Sequence, residues 1–173
     1  MSDRAIAVIE PTRTRKIQIA LAFSIVASLL VIRVFPSTDD PSPAGVIGPF
    51  IALLTLPHHL TIIVLAFRQR RRLYTPEEIP HLVPVTAKAA VVLTSWLLCC
   101  AWAILSMFYL MDLGAPRHKT LFFLSSLEGF FVFMISALTS QDRLDLLARQ
   151  DAQPTSLMFM VDENGEAVAM EGP

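Results

Sequence analysis

A chain of 173 residues is enough for one compact domain. It is 54% hydrophobic and 17% charged, with a formal net charge of −1, whereas soluble domains are usually about a quarter charged. The two cysteines, Cys99 and Cys100, adjoin each other in an apolar run, which excludes a disulfide framework and a CxxC redox motif. Asn164 is followed by Gly-Glu, so there is no N-glycosylation sequon, and no internal repeat is visible.

In chain order, residues 1–16 form a basic tail carrying Arg4, Arg13, Arg15 and Lys16. Four apolar stretches follow: Ile17–Phe35, Val46–Phe67, Ala89–Met111 and Thr120–Thr139. A hydrocarbon core about 30 Å thick asks for about 20 apolar residues per helix, because an unpaired backbone group in lipid costs several kcal/mol. All four stretches meet that length. The first is longer than the roughly 7–15 apolar residues of a signal peptide and lacks a nearby small-x-small cleavage site, so it reads as an uncleaved anchor.

Proline-rich breakers separate the stretches: Pro36-Ser-Thr-Asp-Asp-Pro-Ser-Pro, then Arg68 to Lys88 with Pro76, Pro80 and Pro84, then Asp112–Lys119 with Gly114 and Pro116. Lys and Arg fall unevenly between the two sides. The N-terminal tail, the second loop (Arg68, Arg70, Arg71, Arg72, Lys88) and the C-terminal tail (Arg143, Arg149) hold eleven of the 14, against Arg33, Arg117 and Lys119 on the other side. The bias predicts both termini in the cytoplasm. The expected fold is an all-α membrane protein, an antiparallel four-helix transmembrane bundle over residues 17–139, with cytoplasmic tails 1–16 and 140–173.

Polar side chains recur at one depth in these spans. The middle of the second falls at Pro57-His58-His59, that of the fourth near Ser125 and Glu128, and the first offers Ser24 and Ser28 at a similar level. Glu128 is the only acidic residue inside any span, and a charge at that depth costs several kcal/mol unless it faces the bundle interior with a partner. Adjacent helical residues point about 100° apart, so only one histidine can face Glu128 squarely. One of the two is expected within hydrogen-bonding reach of it, and the other satisfies itself locally, at the carbonyl that Pro57 leaves free.

Two roles are open to this midplane cluster: interhelical glue worth on the order of 1 kcal/mol per bond, or a proton or ion pathway. Metal binding is disfavoured, since two histidines on one helix face need i, i+4 spacing. The third-span cysteines read as small apolar side chains, and Trp96 and Trp102 as packing residues.

"FRQRRRLY", residues 67–74, is a topology determinant. Its Arg68, Arg70, Arg71 and Arg72 also suit anionic lipid head groups. After Thr139 the last helix continues with Leu144 and Leu147, and Asn164-Gly165 between two apolar runs signals a hairpin. No Gly-rich phosphate loop, HExxH, GxSxG or second intramembrane acid is present, so neither enzymatic activity nor a cofactor is expected. The single basic cluster lacks interleaved aromatics, which argues against nucleic acid.

"RTRKIQIALAFSIVASLLVI" after a basic tail and "SLEGFFVFMISAL" in the last span give the chain a resemblance, mainly architectural, to fungal four-span proteins of the MARVEL type, from about Arg13 to Thr139. The resemblance implies a non-enzymatic role in organising membrane domains or vesicle traffic, at the plasma membrane or an endomembrane. Expected partners are the bilayer and, through the helices, further copies or other membrane proteins. The alternative is a small transporter, channel or accessory subunit built on His58, His59 and Glu128.

Overall fold

The computed structural model of the protein describes residues 11–34, 43–71, 83–111, 116–152, 158–161 and 167–170. It is a four-helix bundle of α1 (Pro11–Val34), α2 (Pro43–Arg71), α3 (Ala89–Met111) and α4 (Pro116–Ala152), with a 3₁₀ turn at Val85–Ala87 before α3. Strands β1 (Met158–Val161) and β2 (Ala167–Met170) pair as an antiparallel hairpin, Met158 opposite Met170 and Val161 opposite Ala167. Most of the first loop, residues 72–82 of the second loop, residues 112–115 of the third and the Asn164-Gly165 turn lie outside the described residues.

Proline opens three of the four helices, where its missing N–H costs no intrahelical bond and its fixed φ suits the first turn. Helix α1 thus begins at Pro11, ahead of the Ile17 expected from hydropathy, and α4 begins at Pro116 inside the stretch read as a turn. Pro49 and Pro57 lie within α2, which continues through both. Among the described residues, four helices are long and apolar enough to cross a membrane: Arg13–Val34, Val46–Gln69, Ala89–Met111 and His118–Ala148. At 1.5 Å per residue the three shorter ones measure about 35 Å, just over one hydrocarbon thickness.

Each helix turns one stripe inward at spacings of three and four residues, the helical repeat. On α1 the stripe is Ile17, Ala20, Leu21, Ser24, Ala27, Ser28 and Val31. Its four small members let neighbouring helices come close. On α4 it includes Leu121, Ser125, Glu128, Val132, Ser136, Thr139 and Asp142. Two apolar clusters result, one around Trp102 with Val31, Leu98, Leu105 and Val132, the other of Ile17, Ala20, Leu21, Ile62 and Ile135. The outward faces carry the large apolar side chains, among them Phe23, Leu29, Leu53, Leu97, Phe108, Phe123 and Phe130, each at least half exposed.

One end of the bundle is tied by polar bonds that converge on the 3₁₀ turn. Gln69 of α2 donates to the Val83 carbonyl and accepts from the Val85 N–H, both at 3.0 Å. From α4, Asp142 accepts from Thr86 Oγ1 at 2.6 Å, and Arg143 donates to the Ala87 carbonyl at 3.1 Å. Arg13 of α1 donates to Asp142 at 3.4 Å and pairs with Asp145.

Helices α3 and α4 come close where Gly129 faces Trp102. A Cβ built on Gly129 would lie 3.4 Å from Trp102 Cβ, at the near edge of van der Waals contact. Gly129→Ala should therefore leave stability within about 1 kcal/mol, since lower chain entropy offsets the tight fit. Gly129→Leu should cost about 1–3 kcal/mol by overpacking. Reversible unfolding in mixed detergent micelles reads both, and equal costs would show that this approach is not close.

Candidate functional site

The polar layer between the two apolar clusters is assembled from three helices. Helix α1 presents Ser24 and Ser28 one turn apart on its inward stripe, α4 presents Glu128, and α2 presents His59. All four residues are 0% exposed, so any partner their polar atoms have must come from inside the protein.

Ser24 and Ser28 both donate to the same carboxyl oxygen, Glu128 Oε1, at 2.6 and 2.7 Å. Ser24 Oγ also lies 2.7 Å from His59 Nε2. The order across the bundle is therefore His59, Ser24, Glu128, with Ser28 as a second donor on Glu128. Hydroxyl-to-carboxylate bonds of this length are stronger than neutral ones when the carboxyl is ionised. Low surrounding dielectric raises the energetic weight of each bond and of any group left out.

The sequence reading expected a histidine to reach Glu128 itself. The structure instead interposes Ser24, whose short side chain on close-packed α1 occupies the space between α2 and α4. The two histidines diverge, as their 100° separation requires: the rings are 5.6 Å apart and inclined at 49°. His58 does not turn back to the carbonyl freed by Pro57. Its Nε2 lies 3.0 Å from Ser95 Oγ on α3.

Ser125 is buried but belongs to a separate contact, accepting from Ser106 of α3 at 3.1 Å and donating to the Phe122 carbonyl. Arg68 is exposed. The side chains of Arg70 and Arg71 lie outside the described residues, as does all of Arg72.

Several polar residues that bond between helices, in this layer and at the bundle end, were not singled out for that role from the sequence. Thr55, one turn before His59, is fully buried, accepts from Trp102 Nε1 at 3.1 Å and donates to the Ile51 carbonyl at 2.8 Å. Ser95 anchors His58, and Arg13, Thr86 and Asp142 form the tie at the bundle end. A usable signal existed for Thr55: it sits at i−4 from His59 and hence on the same helix face.

Trp102 packs with no exposure, whereas Trp96 is 38% exposed, donates to Ser140 and meets Phe133 edge-on. Cys99 is half-buried and Cys100 exposed, both as free thiols. Among the described residues, no group of three or more His, Cys, Asp or Glu side chains is placed to hold a metal ion. Chemically, the layer offers a carboxyl, an imidazole and hydroxyls, the equipment for hydrogen bonding and proton binding.

No protein-family model, curated protein or solved structure matches the chain.

The bonding pattern ranks the substitutions. Ser24→Ala removes two contacts and strands the His59 N–H, while Ser28→Ala removes one and leaves Glu128 Oε1 still bonded. The expected costs are about 2 kcal/mol and about 1 kcal/mol. Glu128→Leu strands both serine hydroxyls and should cost about 2 kcal/mol or more, whereas Glu128→Gln retains an acceptor and should be the milder change. Equilibrium unfolding in lipid–detergent mixtures measures the series, and equal losses for Ser24→Ala and Ser28→Ala would contradict the bridging role of Ser24.

Proposed function

We propose that the protein is a multi-pass integral membrane protein that acts as a non-enzymatic organising or trafficking scaffold. Its four spans would form an antiparallel bundle with both termini in the cytoplasm. The observation that carries this reading is the inverted placement of polarity. Among the described residues the bundle buries ten polar or charged side chains, including Ser24, Thr55, His59 and Glu128, and turns many large aliphatic and aromatic side chains outward. In water that outward surface would be a far larger apolar patch than a soluble monomer carries. In lipid it is the favourable arrangement, with the interior held by hydrogen bonds between helices.

Contacts near both ends support the antiparallel course. Arg13, early in α1, pairs with Asp142 and Asp145, late in α4. Tyr109, late in α3, faces His118, early in α4, with ring centroids 6.0 Å apart. The cytoplasmic assignment rests on the clustering of Lys and Arg. On that side Arg68, Arg70, Arg71 and Arg72 would meet anionic head groups, each contributing about 1 kcal/mol near the surface. The organising role accords with the resemblance to MARVEL-type proteins and with buried polar groups, Ser24, Ser28, His59 and Glu128, that bond to one another across the helices. Homo- or hetero-oligomers through the apolar faces would be the working form in a plasma membrane or endomembrane.

The hydrogen-bonded series from His59 through Ser24 to Glu128 favours a second reading, a small transporter, channel or accessory subunit. The two readings diverge in vesicles. A scaffold reconstituted in liposomes passes no protons under an imposed pH gradient, and a Glu128-dependent flux would favour transport.

Topology is tested directly. Tags at Met1 and Pro173 should be protected from external protease in intact cells, and a tag inserted between Ser37 and Ser42 should be cleaved. Cleavage of the C-terminal tag would rule out the arrangement with both ends inside. Changing Arg70, Arg71 and Arg72 together to Gln should increase the inverted fraction, because it removes much of the bias in the second loop.

A further inference from the structure

The directions of the hydrogen bonds inside the polar layer define where a proton can be added. The Ser24 hydroxyl has one hydrogen and donates it to Glu128 Oε1. Its 2.7 Å contact with His59 Nε2 is then donated by the imidazole, which places a ring hydrogen on Nε2. Ser28 donates to the same Oε1. Two atoms of the cluster, His59 Nδ1 at one end of this chain and Glu128 Oε2 at the other, have no hydrogen-bond partner among the described residues. Both residues are fully buried.

We propose that His59, Ser24 and Glu128 form a binding site for one exchangeable proton, with Glu128 Oε2 and His59 Nδ1 as its two positions. On Oε2 the proton makes a carboxylic acid beside a neutral imidazole. On Nδ1 it makes a carboxylate beside an imidazolium. In both arrangements the Nε2–H and the two serine hydroxyl hydrogens keep their present bonds, and the cluster has no net charge. Removing the proton leaves one uncompensated negative charge, and a second proton leaves one positive charge. An interior of packed apolar side chains penalises both. The site binds a proton without needing to pass it along, since Ser24 keeps its own hydrogen throughout.

The surroundings leave this pair to itself. On α1 the neighbours are the uncharged Ser24 and Ser28, with no ionisable side chain between Lys16 and Arg33. On α2 the only other ionisable group nearby is His58, held by Ser95. Helix α3 contributes the uncharged Ser95 and Trp102, the half-buried Cys99 thiol and the outward Cys100. On α4, Glu128 stands alone between Lys119 and Asp142. The charges of Arg13, Asp142 and Asp145 lie at the bundle end, Arg13 about 16 Å along α1 from Ser24. The inference stands on the geometry of the chain, and it holds whether the bundle organises a membrane or transports.

The full-length protein in lipid vesicles, equilibrated between about pH 4 and about pH 9, provides the test. Infrared difference spectra report the Glu128 carboxyl, and nitrogen NMR reports the His59 ring. The expected result is loss of one proton per chain in a single step, with both signals moving at a common midpoint. Glu128→Gln, which retains an acceptor for both serines, should abolish that step. Ser24→Ala keeps both ionisable groups and cuts the chain between them, so their midpoints should separate. Independent midpoints in the unaltered protein, or no change in either signal across the range, would overturn the proposal. The unaltered protein decides the matter if either variant fails to fold.

Discussion

A carboxyl group with no exposed surface constrains everything packed around it. Glu128 sits in the middle of α4, in a layer flanked by apolar clusters, and a buried polar group without partners costs on the order of kcal/mol each. Its Oε1 finds two serine hydroxyls on α1, which sets both the depth of α1 against α4 and its rotation, because Ser24 and Ser28 must share one face. Ser24 in turn holds His59, so the rotation of α2 is set by the same oxygen at one remove. Helix α3 is registered on α2 by two separate bonds, His58 to Ser95 and Trp102 to Thr55. A shift of any helix by one residue would break several of these bonds at once.

The ends and the outside of the bundle follow a different logic. At the end where α1 begins and α4 leaves the bundle, Arg13, Gln69, Asp142 and Arg143 bind each other or the turn at Val85–Ala87. Pairs at this partly exposed end contribute little individually, and their use is to hold the connection between α2 and α3 against the other helices. The outward faces carry almost no polar side chains through the middle of the helices. Lipid contact would make that composition favourable and would leave interhelical hydrogen bonding and close packing at small residues to specify the fold.

Much of this was legible in the sequence because length and hydropathy are strong signals for helices of this kind. The α3 boundaries, Ala89 and Met111, coincide with the apolar stretch, since a loop with Pro84 precedes it and polar residues follow it. The starts of α1 and α4 were less legible: helix formation needs only backbone bonding, so polar residues such as Arg13 and Lys119 belong to helices that hydropathy begins later, whereas the continuation of α4 past Thr139 was expected. Shared depth brought Ser24, Ser28, His59 and Glu128 into one group, because depth follows from counting residues. What lies between them does not. Whether His59 meets Glu128 directly or through Ser24 depends on helix rotation and interaxial distance, which the small side chains of α1 determine only once the helices are packed. The same limit hid the pairing of His58 with Ser95 and of Asp142 with Thr86, which lie far apart in the chain.

The account depends on Ser24 joining α2 to α4, and solid-state NMR of the isotopically labelled protein in lipid bilayers examines that contact directly. The prediction is through-space correlations from Ser24 Cβ both to the protonated Nε2 of His59 and to the carboxyl carbon of Glu128, with no correlation of that carboxyl to lipid acyl chains. A Glu128 carboxyl in contact with acyl chains, or a His59 ring without any correlation to Ser24, would contradict it.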